Sequence, residues 1–276
     1  MLVTSKELLQ YAKKHHFAVP ATNFVNLESA RAYVKTAEKL GLPLILAFAQ
    51  AHMDMISLEE AALIGKYYAE NSSTSVILHL DHGQDFDTIE KAIQLGFNSV
   101  MIDASTMPFE ENISLTKRVV EMAHSYGVDV ESEIGHVGSG TNYENHDLSD
   151  SIYTEVEDAA RFVKETNTDT LAVSIGTAHG FYQGTPVISF DRLHEISKEV
   201  DVPLVLHGGS SSGDNNLHRC ATEGISKINI FTDFMVAAVN QDKKVELTAF
   251  SKEAEKNMSE TLEHYFNVFA TKEYKR

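Results

Sequence analysis

The chain has 276 residues, 43% apolar and 23% charged, with 15 Gly and 5 Pro, a balance that excludes disordered and collagen-like chains. Lys and Arg total 23 against 40 Asp and Glu, and the formal net charge of −17 repels nucleic-acid phosphates and anionic lipid. The single cysteine, Cys220, excludes an internal disulfide and a Cys-rich zinc site. With no apolar leader in MLVTSKELLQYAKKHH and no run near the roughly 20 apolar residues that span a bilayer, the expected location is the cytoplasm.

Short apolar, β-prone runs alternate with longer segments of helical periodicity, and strands are predicted at 17–24, 43–49, 75–80, 99–103, 128–133, 170–175, 203–206 and 225–230. Most are too short and too evenly apolar for half-exposed antiparallel strands, which predicts strands buried on both faces of a parallel sheet. After the first strand, Leu27, Ala30, Val34, Ala37 and Leu40 recur at three- and four-residue spacing and predict a helix over 27–40, with Gly41 as its C-terminal cap. The next helix opens at Ser57, with Glu60 three residues on in the spacing of a capping box. One long loop, 135–151, follows the fifth strand and is rich in Gly, Ser, Asn and Asp. Beyond the eighth strand a charged helical extension, about 241–276, carries Phe250, Tyr265, Phe266 and Phe269 as apolar points for packing on the body of the protein or on another subunit. Eight βα units in a single domain spanning 1–276 predict an α/β (β/α)8 TIM barrel. A doubly wound sheet would more often carry a Gly-rich dinucleotide turn after its first strand, and none follows 17–24.

On such a barrel the catalytic groups come from the C-terminal ends of the strands. Strand three ends in Asp81-His82-Gly83 and strand five in Glu131-Ser132-Glu133. Strand six ends in Gly176-Thr177-Ala178-His179-Gly180, strand seven in His207-Gly208-Gly209-Ser210 and strand eight in Asn229-Ile230-Phe231-Thr232. Taken singly, each histidine is as consistent with an ordinary core or loop residue. Three on separate rigid strands at one rim suit a divalent transition metal such as zinc, with an open position for substrate or water. His82, His179 and His207 are the candidate ligands, and Glu133 is either a fourth ligand or a partner that orients an imidazole. The glycines and hydroxyls after strands seven and eight, with a helix N-terminus, suit a phosphate. Local N–H dipoles and a metal ion outweigh the distant net charge, which is screened over about 8–10 Å.

At these residues the sequence resembles the zinc-dependent class II ketose-bisphosphate aldolases. The resemblance runs from about residue 6 to about 240, through HLDHG (79–83), GFNSVMIDAS and PFEEN (96–112), ESEIG (131–135), GTAHG (176–180), PLVLHGGS (203–210) and KINIFT (227–232). It implies zinc on His82, His179 and His207, with Glu133 contributing in some members, and Asp81 as the group that exchanges a proton with the C4 hydroxyl. It implies a triose phosphate held by Gly180, Gly208, Gly209, Ser210, Asn229 and Thr232, with Asn23 as a further substrate contact and often a monovalent cation, sodium or potassium, nearby. The implied reaction is reversible cleavage of a ketose phosphate or bisphosphate to dihydroxyacetone phosphate and an aldehyde, zinc acting as Lewis acid toward the enediolate. A phosphorylated sugar is the expected partner, and a homodimer or homotetramer the expected assembly.

Three positions depart from the pattern. Family members often carry an acid in the loop after strand five that moves the proton on the enediolate carbon. The ESEIG frame puts Thr141 there, with Glu144 three residues on as the candidate catalytic replacement. Many fructose-bisphosphate aldolases have Ser-Glu-Gly after strand two, where this chain has Phe48-Ala49-Gln50-Ala51-His52, and Phe231 stands where the glycolytic type has Asp. The strand-two difference implies a changed distal phosphate pocket, and Phe231 favours a tagatose-type or carbohydrate-catabolic substrate over the glycolytic one; an aldolase of another keto-sugar phosphate, such as a deoxyketogluconate phosphate, is the alternative. Rival readings are a Schiff-base aldolase on Lys227, a metal-dependent hydrolase and a non-catalytic sugar-phosphate-binding barrel. The hydrolase would favour a His-x-His pair on the first strand, and FAVPATNF has none.

Overall fold

The computed structural model describes residues 2–135, 153–180, 182, 184, 186–241 and 245–275. Eight parallel strands close into a barrel in chain order: β1 (Val19–Asn23), β2 (Leu44–Ala49), β3 (Val76–Gly83), β4 (Ser99–Ile102), β5 (Asp129–Ile134), β6 (Thr170–Val173), β7 (Leu204–Leu206) and β8 (Ile225–Ile230). The intervening helices are α2 (Leu27–Leu40), α3 (Leu58–Glu70), α4 (Phe86–Leu95), α5 (Phe109–Ser125), α6 (Val156–Thr166), α7 (Phe190–Glu199) and α8 (Asp214–Glu223), with α9 (Thr232–Val239) following β8. The eight predicted strands lie within three residues of these bounds, and the (β/α)8 architecture is the one expected.

Local capping sets where the helices stop and start. Gly41 ends α2 at φ 67°, and Ser57 and Glu60 form the reciprocal capping box of α3. Alternation along each strand then sorts its side chains. Leu44, Leu46 and Phe48 join the large core between sheet and helices, while Ile45 and Ala47 join the smaller core inside the barrel. The same parity sends Leu78 and Leu80 outward and His79 and Asp81 inward; Val130 and Ile134 outward and Glu131 and Glu133 inward; Ile228 and Ile230 outward and Lys227 and Asn229 inward.

The floor of the barrel is closed by α1 (Ser5–His15), which precedes the first predicted strand. Its Leu8, Leu9 and Ala12 are fully buried with Phe17, Val19, Ala21, Ile45, Ala47 and Ile77. The extension resolves toward the first of its two alternatives: α10 (Leu247–Val268) lies along α2 and α9, with Tyr265, Phe266 and Phe269 buried against the barrel. With the floor plugged, the open end of the interior is the mouth at the C-terminal ends of the strands.

Candidate active site

Consecutive residues of a strand face opposite sides, so Asp81 and His82 should not share a site. The β3–β4 register shifts between Leu80 and Gly83, and His82 sits at φ 47°. This bulge turns the imidazole back toward the mouth beside Asp81, at a backbone cost of about 1–2 kcal/mol for a residue with a Cβ. Gly83 follows because its neighbour crowds it: a Cβ there would lie 2.4 Å from the Met101 carbonyl oxygen.

His82, His179 and His207 converge. Their ring centroids are 5.0 Å (His82–His179), 4.6 Å (His82–His207) and 5.8 Å (His179–His207) apart, and each offers a nitrogen to a common volume. His82 Nδ1 pairs with Asp103 Oδ2 at 2.8 Å and His207 Nε2 with Glu131 Oε1 at 2.9 Å. Each carboxylate accepts an N–H hydrogen bond on the far side of its ring, which leaves His82 Nε2 and His207 Nδ1 facing one another at 2.9 Å. Two lone pairs at that distance repel unless a proton or a cation lies between them.

In the metal-free protein the proton is expected. Burial alone would lower the His82 pKa, but Asp81, Asp103 and Glu133 prevail and raise it to about 9. His179 is driven the other way, to about 4, by burial and by His207 and His82, so its ring is neutral at pH 7. Three imidazoles, two of them backed by carboxylates, form the donor set that suits a divalent ion such as zinc. Glu133 is buried on the same side, its carboxylate within 4.8 Å of ligand atoms of His82 and Asp103.

Beneath the histidines lies a polar layer whose partners the sequence does not give. Lys227, 1% exposed, donates to both Glu131 oxygens at 2.7 and 2.8 Å and approaches His79 Nε2 at 3.2 Å. His79 in turn pairs with Ser99 Oγ at 2.8 Å. Burial would raise the Glu131 carboxyl, but Lys227 and His207 hold it ionised, with a pKa of about 2. Strand alternation sets Lys227 on the face of Asn229 and Glu131 on that of Glu133, and closure of the barrel brings the two faces together.

Asp81 is buried and held at both ends. Asn23 Nδ2 donates to Oδ2 at 2.8 Å and Asn229 Nδ2 to Oδ1 at 2.9 Å. Burial opposes ionisation, yet the positive field of His82, Lys227 and His207 keeps the carboxyl well below its ordinary value. Asn229 Oδ1 is buried without a hydrogen bond.

All the predicted substrate contacts line one cavity of about 300 Å³: Asn23, Gly180, Gly208, Gly209, Ser210, Asn229 and Thr232, together with Asp81, His82 and His179. Gly208 takes φ 66°, and a Cβ there would lie 2.3 Å from the Ala178 carbonyl oxygen. The Gly209 N–H is engaged by the Asn229 carbonyl, and Ser210 Oγ accepts the Phe231 N–H at 3.1 Å, anchoring the positive end of α9 at the cavity. Ala49, Ala51, His52 and Phe231 complete the described lining. Thr141 and Glu144 lie outside the described residues.

A family model described as "Fructose-bisphosphate aldolase class-II" matches residues 3–274. The D-tagatose-1,6-bisphosphate aldolase subunit GatY of Klebsiella oxytoca is 40% identical over 236 residues, covering 86% of this chain and 83% of the relative. Among solved structures, the YdjI aldolase of Escherichia coli K12 superposes with a TM-score of 0.89 at 32% identity, covering 98% of both chains. A putative fructose-1,6-biphosphate aldolase from Coccidioides immitis gives 0.86 at 26% identity, covering 97% of this chain and 96% of that one.

Proposed function

The chain belongs to the class II fructose-bisphosphate aldolase family, and on that premise we propose that it is a divalent-metal-dependent lyase that reversibly cleaves a ketose phosphate to dihydroxyacetone phosphate and an aldehyde. The observation that carries the reading is the meeting of three imidazoles and the ionised Asp81 at one rim, above a cavity of sugar-phosphate size. His82, His179 and His207 would hold the metal, and Glu133 would serve as a further ligand or would orient His82. When bound, a zinc-type ion supplies Lewis-acid polarisation of the substrate carbonyl.

The chain's own groups do the rest. Asp81, its rotamer set by Asn23 and Asn229, takes the C4 hydroxyl proton as the C3–C4 bond breaks and returns it to the aldehyde oxygen in condensation. Asn229 Oδ1 is left to accept from a substrate hydroxyl. Lys227 keeps Glu131 ionised, and Glu131 keeps the His207 proton on Nε2, so that Nδ1 faces the site. Gly180, Gly208, Ser210 and Thr232 receive the phosphate at the start of α9, with a sodium or potassium ion as the natural companion of that anion. Glu144 is the proposed carrier of the proton on the carbon next to the carbonyl. A homodimer or homotetramer is the proposed assembly.

A panel of ketose mono- and bisphosphates, assayed with and without chelator, tests the reading. Release of dihydroxyacetone phosphate from at least one of them, abolished by the chelator and restored by zinc, is expected. Asp81→Asn should lower turnover by about 10²–10⁴-fold while the protein still binds zinc. Full turnover in a metal-free preparation would refute it.

A further inference from the structure

Two neighbouring turns carry much of the site. His179 and Gly180 stand on the turn after β6, and His207, Gly208, Gly209 and Ser210 on the turn after β7. Backbone pairing between β6 and β7, at Leu171–Leu204 and Ala172–Val205, ends short of both turns. On its other side the β7 turn is tied to β8 by the Gly209 N–H on the Asn229 carbonyl. Its position relative to His179 therefore depends on what spans the gap toward β6.

Side-chain hydroxyls span it. Thr177 Oγ1, fully buried, donates to the His207 carbonyl at 2.8 Å. Tyr182, half-buried on the loop that follows His179, brings its phenol between the two turns. The Ala178 N–H donates to the phenol oxygen at 2.6 Å, and the phenol O–H is within reach of two acceptors, the Ala178 carbonyl at 2.8 Å and the Gly208 carbonyl at 2.9 Å. Ser212 Oγ donates to the same Gly208 carbonyl at 2.9 Å and lies 3.4 Å from the phenol oxygen.

The contacts fall next to the functional side chains. Ala178 precedes His179 and Gly208 follows His207, so one hydroxyl binds the backbone beside two of the three imidazoles and at the glycine turn assigned to the phosphate. A phenol suits the place because it accepts and donates through one oxygen, at the end of a ring with few rotatable bonds.

We propose that Tyr182 is a positioning residue that locks the His179 turn to the Gly208–Ser210 turn and so fixes the separation between the metal and the substrate phosphate. The metal and phosphate roles rest on the aldolase reading above. A substrate gripped at its carbonyl and at its phosphate reaches the reactive geometry only while that separation is kept.

Tyr182→Phe deletes the oxygen and keeps the ring. Zinc affinity is read by competitive chelator titration, and the affinity of the zinc-loaded protein for inorganic phosphate by calorimetry. Zinc affinity is expected to fall about tenfold and phosphate affinity about fivefold, with kcat on the best ketose phosphate lower by about 10²-fold. A tyrosine that serves only the architecture would lower Tm and leave both affinities of the folded protein unchanged, which overturns the proposal. Loss of one affinity without the other also overturns it, since a hydroxyl that holds both turns must move both.

Amide exchange supplies a readout that needs no variant. Ala178 lies beyond the end of β6, and its N–H is held by the phenol, so it should exchange slowly in the wild-type protein and at least tenfold faster in Tyr182→Phe by the about tenfold worth of one hydrogen bond. A wild-type Ala178 amide that exchanges as fast as an open loop refutes the lock. None of these binding and exchange measurements requires turnover. Both affinity losses in a protein that cleaves no ketose phosphate uphold the lock and defeat the aldolase reading, whereas a wild-type protein that binds neither zinc nor phosphate defeats both.

Discussion

Lys227→Met would test whether the polar layer beneath the histidines supports the proposed metal site. Lys227 and Glu131 are both at most 2% exposed and are joined by two short charge-assisted hydrogen bonds. Against burial, a Glu131 carboxyl held at about 2 instead of 4.5 corresponds to about 3 kcal/mol in favour of its charged form, with Lys227 the foremost of the groups that favour it. Removing one partner of such a buried pair costs about 3–5 kcal/mol, because the other charge is left uncompensated. Depressed carboxyl pKa values stabilise the fold above the unfolded value and lose that contribution as pH falls toward the folded one. Wild-type stability from this pair is therefore present above about pH 4.5 and fades toward about pH 2. In Lys227→Met, Glu131 takes up a proton at higher pH and holds His207 less firmly. Zinc affinity should then fall by about 10–100-fold. Urea unfolding at pH 7 and competitive chelator titration measure the two effects. The double variant Lys227→Met/Glu131→Gln removes the stranded charge while Gln still accepts the His207 N–H, so it should regain much of the lost stability. Wild-type zinc affinity in Lys227→Met, or a double variant no more stable than the single one, would refute the reasoning.

Two further outcomes follow from the site. In the metal-free protein the His82 pKa is raised to about 9 from an ordinary 6.5, so its contribution to stability is complete below about pH 6.5 and is lost as pH rises through about 9. Zinc requires the neutral ring, so its apparent affinity should rise up to about tenfold per pH unit toward pH 9, and the zinc-induced increase in Tm should grow over the same range. An increment that is flat with pH would contradict the arrangement of His82 and His207. Gly208→Ala forces a left-handed φ of 66° on a residue with a Cβ and sets that carbon against the Ala178 carbonyl. A loss of about 2–4 kcal/mol in chemical denaturation is expected, with a raised KM for the phosphorylated substrate. A variant of wild-type stability would show that the loop accommodates the methyl.

Much of this protein is legible in its sequence. Parallel strands buried on both faces must be short apolar runs, and eight such runs, each followed by a helical period, define the barrel. Capping is equally local, as Gly41, Ser57 and Glu60 show. Because the chemistry of a barrel gathers at the ends of its strands, Asp81, His82, His179, His207 and Asn229 could be named from their positions after apolar runs.

Parity gives a face and never a partner. Only closure of the ring brings β8 against β1, sets Lys227 on Glu131 and sets Asn229 beside Asn23 around Asp81. The bulge that turns His82 into the site depends on how β3 registers against β4. The docking of α1 under the barrel and of α10 along α2 and α9 depends on apolar surfaces that exist only once the barrel is built. The seating of His52 on Phe231, from loops far apart in the chain, is likewise a product of assembly. Periodicity and capping are short-range and written residue by residue, whereas the protonation, orientation and company of the candidate catalytic groups arise from contacts that form when distant segments share one small volume.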